Sequence, residues 1–352
     1  MRDTPLPMAA FAVAALSPVC LIALGVWTGG VWLWAAFLYM VLLVILLDQM
    51  IPYVAGNAPE GAEFPAADAV LVAAGLGAVL LLPLTVWGIA GDDLDRGEQL
   101  LLFLGTGYYL GHVGHPAAHE LIHRPGRGLY RLGVLVYSIM LFGHHASAHR
   151  LVHHSNVATP DDPNTARAGE SFWRFAPRAW IGGFTAGKAA EDALRARRKG
   201  RAGLHPYGVY LGLGAACLVL AAGIGGGFGV LIWVLLAAHA QMQQLLGDYV
   251  QHYGLTRARL ADGRYEPVGD RHSWNTPHWF SSALMLNAPR HSDHHAHPSR
   301  PYPALRLTDD CPVLPWPLPL ACALAMMPRL WRKLMRPHLK RWQSLNGQEP
   351  AQ

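Results

Sequence analysis

Residues 99–123 read QLLLFLGTGYYLGHVGHPAAHELIH. The first part, 99–118, is apolar and long enough to cross a bilayer, for which about 20 residues are needed. It runs directly into His119-Glu120-Leu121-Ile122-His123. A spanning helix that delivers two histidines, four residues apart, to one of its ends sets the reading of the rest. Segments 8–27, 31–54, 67–90, 204–223 and 228–247 pass the same length test, the last two joined by Gly225–Gly227. The first is too long for a signal h-region and is expected to stay uncleaved. Residues 132–143 are apolar over only about 12 positions, which suits a re-entrant or interfacial helix better than a span. The expected fold is therefore all-α: a polytopic membrane protein of about six transmembrane helices, forming one integral-membrane domain over 1–352.

Composition agrees. The chain is 52% hydrophobic and 14% charged, against roughly 25% charged for ordinary soluble domains. Six spans place the N-terminus, 55–66, 119–203 and 248–352 on one side. All 28 Lys+Arg except Arg96 then fall on that side, which the positive-inside rule makes cytoplasmic. The net charge of +5 thus has a topological origin, and nucleic acid is not an expected partner. The basic run 191–201 (EDALRARRKGR) fits lipid headgroups or the docking of an acidic electron carrier. Arg329–Arg341 is amphipathic and suits the membrane surface. None of the four cysteines forms a C-x-x-C pair, so no zinc ribbon, iron–sulfur or rubredoxin-like module is encoded.

Histidine is the abnormal residue, with 19 copies. Four clusters lie on the expected cytoplasmic side: His119/His123; His149/His153/His154; His252; and His291/His294/His295. On a helix, residues three or four apart share a face. By that spacing His119 pairs with His123, His149 with His153, and His291 with His294 and His295. Imidazole is a good ligand for iron, zinc, copper and nickel. Nine histidines in four clusters exceed what one ion can take, so two metals are expected. Taken alone, His-Glu-Leu-Ile-His would also fit a zinc protease with Glu120 as base, but that chemistry needs one further ligand, not seven. A metal transporter would instead place its ligands at mid-membrane on broken helices.

His112, His115, His119 and His123 stand at offsets 0, 3, 7 and 11, so His112 and His115 are expected on the same face, inside the membrane. A role behind the metal ligands or in proton delivery is one reading, and pairing with Asp48 or a backbone carbonyl is the other. His145 precedes His149 by four residues and offers an alternative to it. Glu120 and Asp293 are the candidate catalytic carboxylates, acting with Asp161 and Asp162 behind the ligands rather than as ligands. Trp32, Trp34, Phe37 and Tyr39 are candidates to line a cavity open to lipid.

These motifs together carry a resemblance. HELIHR (119–124), HRLVHHSNVATPDDPNTARAGE (149–170), YVQHYGL (249–255), RHSWN (271–275) and RHSDHHAHP (290–298) resemble the histidine boxes of the membrane alkane hydroxylase (alkane 1-monooxygenase) family. That family is related to membrane fatty-acid desaturases and xylene monooxygenase hydroxylase subunits. The resemblance spans nearly the whole chain. It implies two non-haem iron ions held by His119, His123, His149, His153, His154, His252, His291, His294 and His295. It implies O2 as co-substrate, hydroxylation of an unactivated C–H bond of an apolar substrate drawn from the lipid bilayer, and electrons from a separate rubredoxin or ferredoxin-type protein with its reductase. A desaturase or aromatic-side-chain hydroxylase would use the same site. Three departures stand out: Ala148 and Gln251 where the family carries Glu, and Ala288-Pro289 where it carries Leu-Gln.

Overall fold

The computed structural model describes residues 4–197 and 203–345. Residues 198–201 of the basic run lie outside this range. The described residues are helical, with isolated bridges in place of strands. Helix α1 spans Met8–Thr28, α2 Val31–Met50 and α3 Ala67–Ala90. Helix α4 runs from Arg96 to Tyr109, through a π-helical turn at Leu110–Gly114, into His115–His123. Helix α5, Arg127–Ile139, folds back along the end of α4. A short helix α6 begins at His145–Ala148, passes through another π-turn at His149–His153 and ends at Asn156. Then follow α7 (Phe172–Arg197), α8 (Pro206–Gln251), α9 (Trp279–Leu284), α10 (His291–Ala296), α11 (Leu318–Ala325) and α12 (Pro328–Leu345).

Four helices among the described residues are long and apolar enough to span: α1, α2, α3 and α8. The 46-residue α8 takes in 206–223 of the first expected segment and all of 228–247, and reverses between them at Gly225 and Gly226. Gly226 has φ 57°, a left-handed conformation that glycine adopts without steric cost. The second expected span stops at Met50 rather than 54. Pro52 follows, and the residue before a proline is pushed to extended backbone; Ile51 sits at φ −115°, ψ 91°. Expected span 99–118 lies within α4, where the π-turn interrupts it. Residues 132–143 fall largely in α5, whose Val136, Tyr137 and Ser138 are fully buried.

The apolar helices turn a lipid-suited face outward. Trp27, Val31, Leu80, Leu211 and Val219 are exposed, whereas Phe11, Ile22, Leu71, Leu82 and Trp233 are enclosed. An integral membrane protein needs this arrangement, because apolar surface meets a solvent as apolar as itself. The two ends of the bundle differ in chemistry. At one end Asp95 and Glu98 form a capping box on α4, Glu98 Oε1 accepts from Gly30 N at 2.7 Å, and the Gly225 turn abuts Ala90. At the other end, buried Arg290 donates to Ala55 O at 2.7 Å, Asn57 Oδ1 at 3.0 Å and Leu305 O at 2.7 Å. A buried guanidinium must be hydrogen-bonded, so Arg290 ties the loop after α2 to the histidine-rich end.

Candidate metal centre

The nine clustered histidines converge there, from α4, α6, α8 and α10. They form two groups, each with its ligand atoms within 4.8 Å of one another: His119, His123, His149, His154 and His294, and then His153, His252, His291 and His295. This partition corrects the pairing expected from spacing. His149 and His153 do not act together, and neither do His294 and His295. The π-turn at His149–His153 is the reason. It widens the repeat, so residues five apart align: His154 Nε2 lies 2.9 Å from His149 Nε2, while His153 turns to the other group. On α10 the three histidines straddle both groups, with His294 Nε2 3.2 Å from His154 Nε2 and His295 Nε2 3.1 Å from His291 Nε2.

The geometry suits cations. Ring nitrogens stand 2.8 Å apart for His119–His149 and 3.1 Å apart for His252–His291. Two ligands at right angles around an ion, each about 2.1 Å away, would stand about 3 Å apart. His123 Nε2 and His153 Nε2 are buried and have no hydrogen-bond partner among the described residues. Such atoms are costly unless something else satisfies them. Burial, then crowding by neighbouring imidazoles, pushes His119 and His252 down to about 3. Neutral rings with free lone pairs are what a metal requires.

The residues behind the histidines fix their orientation. His153 Nδ1 donates to Asp162 Oδ2 at 2.8 Å, which leaves Nε2 facing the second group. Burial lowers His153, but the Asp162 carboxylate outweighs it and the ring ends above its ordinary value. Asp162 is also bound by Thr165 Oγ1 at 2.7 Å and Asn164 N at 3.0 Å. His252 Nδ1 meets Ser273 Oγ at 3.4 Å. The 271–275 motif locks α10 in place: Asn275 Oδ1 accepts from Ser292 N at 3.0 Å, and Ser292 Oγ donates to Ser273 O at 2.6 Å. Trp274 N donates to Gln251 O at 2.7 Å, joining that motif to the end of α8.

Glu120 comes to the edge of the first group, with Oε1 3.8 Å from His294 Nδ1 and Oε2 3.5 Å from Arg124. Burial raises its pKa to about 7, against the pull of Arg124. Asp293 is held elsewhere. It accepts from Arg306 N at 2.8 Å and His297 Nδ1 at 3.0 Å, and pairs with Arg300, so it braces the loop after α10. Asp48 also differs from expectation. It accepts from Phe280 N at 2.8 Å at the start of α9 and pairs with neither His112 nor His115. The π-turn at Leu110–Gly114 separates those two: His112 lines a cavity, whereas His115 packs 5.4 Å from Tyr137. His145 stacks on Phe142 at 4.8 Å and belongs to neither group. Ala148 lies against α7 at Gly183 and Gly187, and Gln251 Nε2 donates to Ala288 O at 3.1 Å.

A cavity of about 200 Å³ opens from both groups between α2, α4, α8 and α11. His119, His149 and His291 form its metal-facing end. From α2 it is lined by Met40, Val41 and Ile45, not by Trp32, Trp34, Phe37 or Tyr39. Trp32 and Trp34 are exposed on the outer face, and Tyr39 donates to Ala14 O. A π-turn at Tyr39–Leu43 rotates the next side chains inward.

Residues 99–311 match the fatty acid desaturase family. The chain is 32% identical over 321 residues to alkane 1-monooxygenase 2 of Pseudomonas aeruginosa, covering 88% of this chain and 84% of that one. The chain belongs to the alkane 1-monooxygenase family of desaturase-like membrane oxidoreductases. It is also 32% identical over 271 residues to an alkane 1-monooxygenase of Pseudomonas putida, spanning 65% of that protein's length. The hydroxylase component of a xylene/toluene monooxygenase from Pseudomonas putida is 26% identical over 343 residues, covering 91% of this chain. The two histidine groups at the end of the cavity offer ligand atoms suited to metal ions.

Proposed function

We propose that this chain is a membrane monooxygenase that holds two iron ions between its nine clustered histidines and hydroxylates an unactivated C–H bond of an alkyl substrate. The reaction consumes O2, two electrons and two protons; one oxygen atom enters the C–H bond as an alcohol and the other leaves as water. The observation that carries this reading is the meeting of both histidine groups with one largely apolar cavity between membrane-suited helices. When bound, the iron pair supplies the reductive activation of O2. The protein supplies the rest. His119, His123, His149, His154 and His294 would hold one ion, and His153, His252, His291 and His295 the other. Asp162 keeps the His153 tautomer that presents Nε2. Glu120, buried beside His294, is suited to hold or release a proton near neutral pH. Met40, Val41 and Ile45 exclude water and align the chain. Asp293 positions the third histidine cluster through Arg300 and Arg306.

The electron donor is a separate rubredoxin or ferredoxin-type protein served by its reductase, and the histidine-rich end faces the cytoplasm of a bacterial inner membrane. Support comes from the lysines and arginines concentrated at that end, as well as from the lack of any encoded C-x-x-C. The xylene/toluene monooxygenase likeness favours a second substrate class, alkylbenzenes oxidised at the side chain. Cells expressing the chain with an electron donor, fed alkanes, alkylbenzenes and fatty acids, should yield alcohols by gas chromatography. Alkenes in their place would make it a desaturase, and no oxidised product would refute the proposal.

A further inference from the structure

The cavity is not apolar throughout. Two to three helical turns along α4 from His119, roughly 10–16 Å, it is lined by Tyr108 and His112, and by His239 and Gln243 of α8. The Tyr108 ring lies between the imidazoles, 5.5 Å from His112 and 5.0 Å from His239. His112 Nδ1 and Gln243 Oε1 are buried without a hydrogen-bond partner among the described residues. Gln243 Nε2 donates to Gly107 O at 2.9 Å and reaches His239 Nδ1 only at 3.4 Å. The backbone makes room for this group. A Cβ at Gly107 would collide with His239 Nδ1, and one at Gly111 with the Gln243 carboxamide. Two glycines one helical turn apart on α4 thus seat two polar side chains, also one turn apart, on α8. Ionisable groups at membrane depth mark function more often than packing. Polar groups lining an alkane site would stay unpaired when an alkane fills it, which costs binding.

We infer that Tyr108, His112, His239 and Gln243 form a recognition site for a hydroxyl on the end of the substrate remote from the metals, so that the preferred substrate is an oxygenated alkyl chain rather than a plain alkane. A hydroxyl needs one acceptor and one donor, and the imidazoles, phenol and carboxamide offer both. The remote carbon of such a chain is then the one presented to the histidine cage. This inference rests on the hydroxylase reading for its chemistry, but its binding consequence stands apart from turnover.

The test is equilibrium dialysis of labelled 1-octanol and octane against the full chain, iron-loaded and in detergent, beside competitive turnover of the same pair with the electron donor. A site built to pair a hydroxyl disfavours an analogue lacking it, by roughly tenfold or more. Wild type should therefore bind 1-octanol at least about tenfold tighter than octane, and competition should favour the diol. His112→Phe, His239→Phe and Gln243→Leu should each lower the 1-octanol-to-octane ratio several-fold. Equal affinity for the two probes in the wild type overturns the inference without recourse to any variant. A ratio unchanged in all three variants does so too, even if turnover of both substrates falls, because that pattern marks a proton path. Preferential binding of 1-octanol with no oxidised product would leave the recognition site standing and refute the hydroxylase reading instead.

Discussion

Asp162→Asn isolates one metal group from the other. The carboxylate accepts from His153 Nδ1 at 2.8 Å, from Thr165 Oγ1 at 2.7 Å and from Asn164 N at 3.0 Å. A carboxamide keeps one oxygen, which the Asn164 amide can retain, but turns an N–H toward His153 Nδ1. That nitrogen must then accept, so the proton moves to Nε2 and blocks the lone pair that faces His252, His291 and His295. Outer partners of ligating histidines are worth about 10–100-fold in metal affinity, or roughly 1.4–2.7 kcal/mol. Loss of bonds to a charged acceptor should lower the stability of the metal-free protein by roughly 1–3 kcal/mol as well. Iron per chain, followed by mass spectrometry during dialysis against a chelator, should fall in two phases. One ion should leave about 10–100-fold faster than from the wild type and the other at the wild-type rate. Superimposable loss curves would refute the reasoning, since they would mean that His153 is oriented without Asp162 or binds no metal.

Other expectations follow from the same geometry. His252→Ala should abolish hydroxylation and lower iron content, because no neighbouring histidine on α8 can replace it. His205→Ala and His338→Ala should leave iron content unchanged, since His205 caps α8 and His338 packs near Trp316. Arg290→Ala strands the buried acceptors Ala55 O and Leu305 O and should cost about 2 kcal/mol, read as a lowered thermal midpoint in detergent. Ala148→Glu should reduce the folded yield on size-exclusion chromatography, because Ala148 is 6% exposed and its backbone approaches Gly187. Reporter fusions after Glu60 and Gly263 should read the same side of the membrane, and one after Asp93 the opposite side.

Much of the centre is legible in local chemistry. Apolar length marks membrane helices, because lipid demands internally satisfied backbone over a fixed thickness. Dense histidine clusters mark metal, because imidazole is a good transition-metal ligand and so many rings at one helix end are hard to satisfy otherwise. Motif order assigns all nine histidines to the clusters that the fold then brings together. Helical spacing misleads at a specific place, the π-turn. One extra residue in the turn at His149–His153 separates His149 from His153, and a like turn at Leu110–Gly114 parts His112 from His115. Nothing in side-chain type announces such a turn. The grouping of five and four, the carboxylate behind His153 and the lining of the cavity by Met40, Val41 and Ile45 are decided only in three dimensions. So is the polar cluster, whose sequence trace is faint: Gly107 and Gly111 on one helix, His239 and Gln243 on another, each pair four residues apart. Spacing places each pair on a face, but only tertiary packing sets those faces against each other. The sequence determines which residues can bind metal; the packing decides which imidazoles face one another and which side chains line the cavity beside them.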